Sequence, residues 1–508
     1  MLQLTKRLLL KIPIIQKLMN QTIIEEQMRN GLKQENQILK KTHLQKSKDS
    51  WKGTRTRGRI VTENGQAVYG DEERRPKKKV ACMIGYCGTG YHGMQLNPPA
   101  RTIEGDLFDA FVKAGAISKN NSNDLKKSGF QRAARTDKGV HAAGNVVSLK
   151  MIIEDEDIVE KINSYLPDQI RLWGYERVNK SFDCRKMCGS RVYEYLMPTY
   201  SFLPPKPTSP LAKLIKEADT QFPGSTRSDP EGEVFWKELF EEYEKAGITL
   251  DIQEQIQQAI SEDITMTVML EEANKKMKKL SNEFRRKFRC SSEKLQLVRD
   301  ALQIYVGSHN FHNFTNGKHF RDPSARRFMK SITVSEPIVV EGTEWVSIKI
   351  HGQSFMLHQI RKMIGMATLV VRTGCPLDRI KEAFGADKVN IPKAPSLGLL
   401  LEQTVYDAYN EKLKDFGYNP LNFDKFEKEM NEFKMKHIYD KIYDEEVKEN
   451  VFYGFFGFID GFNGSDEVSG TPIFSFLTAK GIEKTGGDKT SATVNSTETS
   501  VAENKTIE

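Results

Sequence analysis

Between positions 132 and 142 the chain reads Arg-Ala-Ala-Arg-Thr-Asp-Lys-Gly-Val-His-Ala, which sets one carboxylate, Asp137, among the cations Arg132, Arg135 and Lys138. Nearby positive charge favours the ionised form of a carboxylate. The spacing therefore suits an Asp that stays charged while facing a polyanion. Gly139 lets the backbone turn, and the alternation of Val147, Leu149 and Met151 predicts a strand behind the turn. Taken alone, the same residues also fit a surface hairpin with an Asp-Lys-Gly turn. The rest of the chain has to choose between them.

Two further segments carry groups of chemical interest. Tyr193 and Tyr195 stand two apart in a run, 191–197, that predicts a strand ending at Pro198, so both rings share one face. One suits a stacking platform or a proton-transfer group, the other the core. Arg361 lies in the mostly apolar stretch 355–371, which predicts a helix with His358 one turn away and Met356, Ile360, Met363 and Ala367 on the packed face. An unpaired buried Arg is costly, so a carboxylate is expected opposite Arg361, and Asp137 is the candidate.

Other patterns lead away from cofactors. Gly88-Thr-Gly90-Tyr-His-Gly93 is a literal G-x-G-x-x-G after a strand, but a dinucleotide site needs a helix beginning inside the motif. Pro98 and Pro99 stop such a helix, and no acidic residue ends a second strand at the expected distance. An oxidoreductase is disfavoured, and the glycines suit a loop passing close to another backbone. Cys82/Cys87 and Cys184/Cys188 lack the tight spacings of structural zinc sites. His309 and His312 have no acidic or thiol partner nearby in sequence and are expected to pack beside Phe311 and Phe314. No metal site is expected, and without a secretory signal the six cysteines are read as reduced thiols.

The elements that must position these groups form an α+β pattern. Strands are predicted at 80–86, 129–135, 145–151, 191–197, 332–338, 345–351 and 398–405. Helices are predicted at 103–114, with Leu107, Phe111 and Ala114 on one face, and around Leu295, Val298, Leu302 and Tyr305. A Pro-, Lys- and Glu-rich stretch, 200–280, interrupts the pattern as an insertion with helical segments. Phe423, Phe426, Met430, Phe433 and His437 recur at helical steps, so a charged amphipathic helix is expected to pack on the body. The chain thus divides into a partly disordered basic extension (1–76), a first half of the body with the Asp137 loop (77–200), a polar insertion (201–284), a second half (285–410), a helical element (411–477) and a disordered tail (478–508).

Composition narrows the partners. The chain carries 76 Lys and Arg against 68 Asp and Glu, a net charge of +8. The excess is local: 33–79 is rich in both and ends Arg74-Arg75-Pro76-Lys77-Lys78-Lys79, which suits nucleic acid or an acidic receptor. The same cluster reads as a nuclear-import signal. Residues 1–24, with Lys6, Arg7, Lys11 and Lys17 and no acid, leave mitochondrial targeting as the alternative. No apolar run approaches the roughly 20 residues that span a bilayer, so a soluble protein with no membrane partner is expected.

Six blocks then converge in order: 85–95, 135–141, 182–198, 307–315, 352–365 and 394–403. Together they resemble the TruA family of tRNA pseudouridine synthases, over roughly 77–200 and 285–410, and 121–142 with 354–365 resembles its eukaryotic multisite branch. The resemblance implies two similar halves, each with an antiparallel sheet and packed helices, joined into one extended sheet with a central RNA-binding cleft. It implies isomerisation of uridine to pseudouridine at several sites in tRNA, with no cofactor because substrate and product hold the same atoms. Small nuclear RNA and mRNA are further candidate substrates, and a monomer is expected. The family's catalytic Asp maps to Asp137, its Tyr to Tyr193 and its basic residue to Arg361. Arg135, Thr136, His141 and His358 fall at substrate-binding positions. Attack on the sugar, attack on the base and proton abstraction all remain open for Asp137. The alternative is a catalytically inactive RNA-binding protein of the same fold.

Overall fold

The computed structural model describes residues 75–261, 264–413, 417–465 and 470–482. The expectations for 1–74 and for most of the tail lie outside the described residues. Runs of Val, Ile, Leu and small residues become strands buried on both faces: β1 (Lys78–Tyr86) and β3 (His141–Met151) are almost wholly buried. With β2 (Gln131–Arg132), β4 (Ile170–Arg177), β5 (Ser190–Pro198), β6 (Gly307–Asn310), β7 (Arg326–Val334), β8 (Ile338–Val340), β9 (Thr343–Gly352) and β10 (Leu399–Val405) they make one 10-stranded sheet. Its order is β4-β1-β3-β10-β5-β9-β7-β6, with β2 beside β3 and β8 beside β9.

The sheet is mixed. Its pairs are antiparallel except β3 with β10, where Leu400 lies opposite His141 and Leu401 opposite Ala142. β10 comes late in the chain, yet it is inserted between β3 and β5, which both precede residue 200. The sequence break at 200–280 is therefore not a break in the sheet.

Helices cover the sheet. They include α1 (Ile103–Lys113) and α2 (Ile158–Tyr165) near β4, then α3 (Pro210–Gln221), α4 (Pro230–Lys245), α5 (Leu250–Ser261) and α6 (Val268–Lys287) in the insertion. Capping side chains start several of these: Ser209, Asp229 and Thr267 each accept from a backbone N–H of the first turn. The insertion has an apolar seam of its own in Phe235, Trp236, Leu239 and Tyr243. α7 (Ser292–Gln303) buries Leu295, Val298 and Leu302 and packs against α8 (Gln359–Thr373).

Beyond the sheet, α9 (Glu427–Phe433) runs through a π-helical turn, Lys434–Tyr439, into α10 (Asp440–Glu449) and then α11 (Val451–Gly461). The amphipathic 423–437 pattern does pack inward: Phe423, Met430 and Phe433 are buried, and Phe433 meets Trp173 edge-on. From the π turn, Lys434 reaches Glu402 at 2.8 Å, and Tyr439 donates to Glu194 at 2.6 Å. Glu194 alternates with Tyr193 along β5, so this helix grips the sheet on the face opposite Tyr193.

Three predicted boundaries move, each for a local reason. The 129–135 strand shrinks to β2 because pairing with β3 ends at the bond from Ala133 N to Val146 O, and the Asn145 side chain binds the next residue instead. Its amide donates to Ala134 O at 3.1 Å and to Tyr86 Oη at 3.2 Å, and its carbonyl accepts from Ala134 N. The 332–338 strand is β7, which begins earlier and ends at Val334, with β8 a separate short strand. The helix predicted from 355 starts only at Gln359, because His358 sits in the left-handed region at φ 61°.

The Asp137 turn is held from below. Gly139 takes φ 76° and its N–H donates to Tyr91 O, while Met94 N donates to Thr136 O at 3.1 Å. A Cβ on Gly88 would lie 2.2 Å from Val140 O. The glycine-rich loop thus runs close along the Asp137 backbone, as the sequence suggests. Thr136 is buried and its hydroxyl pairs with Tyr86 Oη at 2.9 Å. It braces the turn and also lines the pocket that holds Asp137. His141 does not line that pocket: it is fully buried at the head of β3, and its Nδ1 accepts from Gly88 N at 3.2 Å. Burial pushes its pKa down to about 4.

A neutral buried His is a stability device with a defined sign. Its folded pKa lies below the unfolded value, so the unfolded chain takes up a proton first as pH falls. Stability is full above about pH 6.5 and declines toward pH 4, by up to about 3 kcal/mol for a shift of this size. His141→Gln removes this titration. In chemical denaturation, the stability gap between wild type and His141→Gln is expected to narrow as pH drops from about 6.5 to 4. Parallel curves would contradict the assignment.

Candidate active site

Asp137, Tyr193, His358 and Arg361 line one pocket of about 1050 Å³, together with Arg135, Phe355 and residues of 92–97. That volume is at the upper edge of ordinary small-molecule pockets, roughly 300–1,000 Å³. Its walls carry Arg132, Arg135, Lys138, Arg185, Arg191, Arg327 and Arg361 against two carboxylates, Asp137 and Asp183. A balance so biased fits a polyanion that threads past the site rather than a small neutral metabolite.

Asp137 is half-buried on its turn, and His358 Nδ1 lies 3.1 Å from its Oδ2. The left-handed backbone at His358 brings the ring there, just before α8. Burial holds the His358 pKa below its ordinary value, with the Asp137 charge opposing that shift and Lys393 and Arg361 reinforcing it. A largely neutral imidazole donating Nδ1–H to the carboxylate fits this balance. It orients Asp137 and leaves the negative charge in place.

The expected Asp137–Arg361 ion pair does not form. Arg361 begins the second turn's approach to the 392–394 backbone: its Nε donates to Ala394 O at 2.6 Å and its carbonyl accepts from Ala394 N. Gly365, one turn on, permits the closeness, since a Cβ there would lie 2.5 Å from Pro392 O. Burial lowers the guanidinium pKa, while Tyr195 and then Asp137 act to raise it. Asp137 is thus within electrostatic reach of Arg361 but not in contact, because His358 takes the near position. His358 was expected on the helix beside Arg361; it is instead the residue that caps it and holds the carboxylate.

The tyrosine ambiguity resolves by depth. Tyr195 is fully buried, donates to Pro395 O at 2.8 Å and meets Phe452 edge-on, so it belongs to the core. Tyr193 borders the pocket and packs edge-on against Phe355 at 5.1 Å. Burial pushes its phenol up to about 12, against the pull of Arg191 and with a smaller push from Asp137. At neutral pH it is a proton donor.

Of the cations beside Asp137 in sequence, only Arg135 and Lys138 are exposed at the pocket. Arg132, also on the pocket wall, is held in an ion pair with Glu104, whose carboxylate is buried and also accepts from Leu96 N at 2.8 Å. Sequence reasoning missed Arg191, which ties β5 to the Asp137 loop by donating to Ala133 O, and Phe355. Both lie in blocks already singled out, but only the fold shows them meeting. His309 stacks on Phe384 at 4.3 Å, and His312 is buried against Phe320, so neither stands at the pocket.

Comparison with known proteins gives consistent matches. The family model for tRNA pseudouridine synthase matches residues 301–407. A Kluyveromyces lactis protein named tRNA pseudouridine synthase 1 is 60% identical over 402 residues, 78% of this chain and 72% of the relative. The Saccharomyces cerevisiae protein of the same name is 52% identical over 84% of this chain and 81% of its own length. A second Saccharomyces cerevisiae protein, tRNA pseudouridine(27/28) synthase, is 40% identical over 73% of this chain and 96% of itself. With Asp137, Tyr193 and Arg361 gathered in a cation-walled pocket and relatives this similar along most of its length, the chain belongs to the TruA family of tRNA pseudouridine synthases.

Proposed function

We propose that this chain isomerises uridines to pseudouridine at several positions in tRNA, with Asp137 as the reacting carboxylate. The observation that carries the reading is Asp137, a carboxylate oriented by His358 in a pocket whose walls carry seven cations against one other carboxylate, Asp183. The reaction breaks the bond from ribose C1′ to N1 and makes one from C1′ to C5. A proton leaves C5 and one is gained at N1, so no atom or electron is supplied from outside.

The residues divide the work. Tyr193 offers a ring for the uracil to stack on, supported edge-on by Phe355, and stacking on an aromatic is worth roughly 1–3 kcal/mol per base. With its phenol protonated, Tyr193 gives a hydrogen bond rather than taking the C5 proton. His358 positions Asp137. Arg361, whose guanidinium is fixed by Ala394 but unpaired with Asp137, meets the charge that develops on the detached base or a neighbouring phosphate. Arg135, exposed across the pocket, serves the flanking backbone.

The wider reading follows the same physics. Segments on both sides of β10 contribute pocket walls, which supports two halves meeting at a central RNA cleft. Backbone-directed cations recognise shape more than sequence, which favours several target uridines and extends the candidates to small nuclear RNA and mRNA. The Arg74–Lys79 cluster supports a nuclear location, and a monomer suffices for the pocket as built.

Incubating unmodified tRNA with the protein and mapping the nucleosides tests the function. Wild type is expected to form pseudouridine at several positions and Asp137→Ala at none. An equally active Asp137→Ala would remove Asp137 from the mechanism, and an inactive wild type would favour the RNA-binding alternative. The Tyr193 role has its own signature in pH. With a phenol pKa near 12, Tyr193→Phe is expected to lower the rate by a constant factor from about pH 6 to 9.5. A wild-type rate that climbs over that range, with the climb absent in Tyr193→Phe, would make the phenolate a base instead.

A further inference from the structure

Among the described residues, one large apolar side chain on the pocket wall is strongly exposed: Leu357, at 55%. It stands beside His358 and therefore beside Asp137, in surroundings otherwise rich in charge. An isolated exposed leucine is ordinarily unremarked. This one stands on a backbone pinned by hydrogen bonds. Its carbonyl accepts from Thr315 Oγ1 at 2.9 Å, and Met356 N, just before it, donates to Gln359 Oε1 at 2.9 Å. His358, just after it, takes the left-handed backbone and binds Asp137.

The support continues inward. Buried Lys362 donates to the carbonyls of Asn313 and Thr315, and Asn313 in turn donates to Ala383 O and Asp387 O. A chain of hydrogen bonds thus anchors the backbone that carries this apolar side chain at a polar pocket. Rigid backbone with an exposed hydrophobe is a poor arrangement for a free surface. It suits a surface that meets something flat and apolar, and the flat apolar surface offered by RNA is the face of a stacked base.

We propose that Leu357 is a wedge that enters the base stack beside the target uridine and keeps the uridine turned toward Asp137. The proposal rests on the synthase reading above. Extracting a base from a stem costs a few kcal/mol, and apolar wedges between base steps are a known way of offsetting such unstacking. The same hydrogen-bonded turn sets both the wedge and the reacting carboxylate, so opening the helix and presenting the uridine are mechanically one event.

The test compares two RNAs: a tRNA-derived hairpin with the target uridine paired in its stem, and the same sequence with the uridine opposite an abasic position. kcat/KM is measured for wild type, Leu357→Ala, Leu357→Met and Arg135→Ala. Leu357→Ala is expected to fall by about tenfold or more on the paired RNA and to match wild type on the opened one, with Leu357→Met near wild type on both. Activity on the opened RNA shows that the variant is folded. Equal losses on both RNAs, or no loss on either, would overturn the wedge, as would a paired-only loss confined to Arg135→Ala. A wild type inactive on both would overturn the synthase reading itself.

Discussion

A carboxylate held in a pocket walled largely by cations faces a conflict. The cations that draw in the phosphates also compete for the carboxylate, and a direct ion pair would occupy the oxygens that the substrate has to reach. Here the hydrogen bond between Asp137 and His358, residues 221 apart in sequence, resolves the conflict. A mostly neutral imidazole fixes the oxygen without adding a cation. Arg361 stays near enough to be felt and too far to pair, anchored to Ala394 instead. The rest of the structure keeps those groups at that spacing.

On the Asp137 side, the restraint is a buried polar node. Asn145, Tyr86 and Thr136 satisfy one another and the backbone of the loop, and a fully satisfied buried network is rigid. On the other side, α8 lies against the 392–394 backbone through Gly365. Between them run β10 and β5, which join β3 to β9 and carry Tyr193 into the pocket. The C-terminal helix grips those two strands from the opposite face through Lys434 and Tyr439. Its π turn places residues five apart on the same pair of acidic groups, Glu402 and Glu194.

Much of this is legible in the chain because it is local. Short apolar runs locate most strands, the Tyr193/Tyr195 spacing puts both rings on one face, and the glycines of 88–93 announce a close backbone approach. What escapes has two physical origins. A left-handed His358 is a single-residue departure from a helical pattern, and no periodicity encodes it, so the helix was expected to begin too early and His358 to face Arg361. Charge in sequence also does not specify its partner. Arg132 stands near Asp137 in the chain but pairs with Glu104, and Arg361 finds a carbonyl where a carboxylate was expected. Thr136 and His141 sit in the same loop as Asp137, and their inward hydrogen bonds to Tyr86 and Gly88 are made across the fold, which proximity in sequence does not encode.

The central claim is that the negative charge of Asp137, and not merely its shape, carries the chemistry. Single-turnover kinetics of Asp137→Asn on tRNA tests this most directly, since the amide keeps the size and a hydrogen-bond acceptor for His358 while removing the charge. The account predicts tRNA binding within a few-fold of wild type and a loss of at least about a thousandfold in the rate of pseudouridine formation. An Asp137→Asn protein that binds tRNA and turns it over at close to the wild-type rate would contradict it.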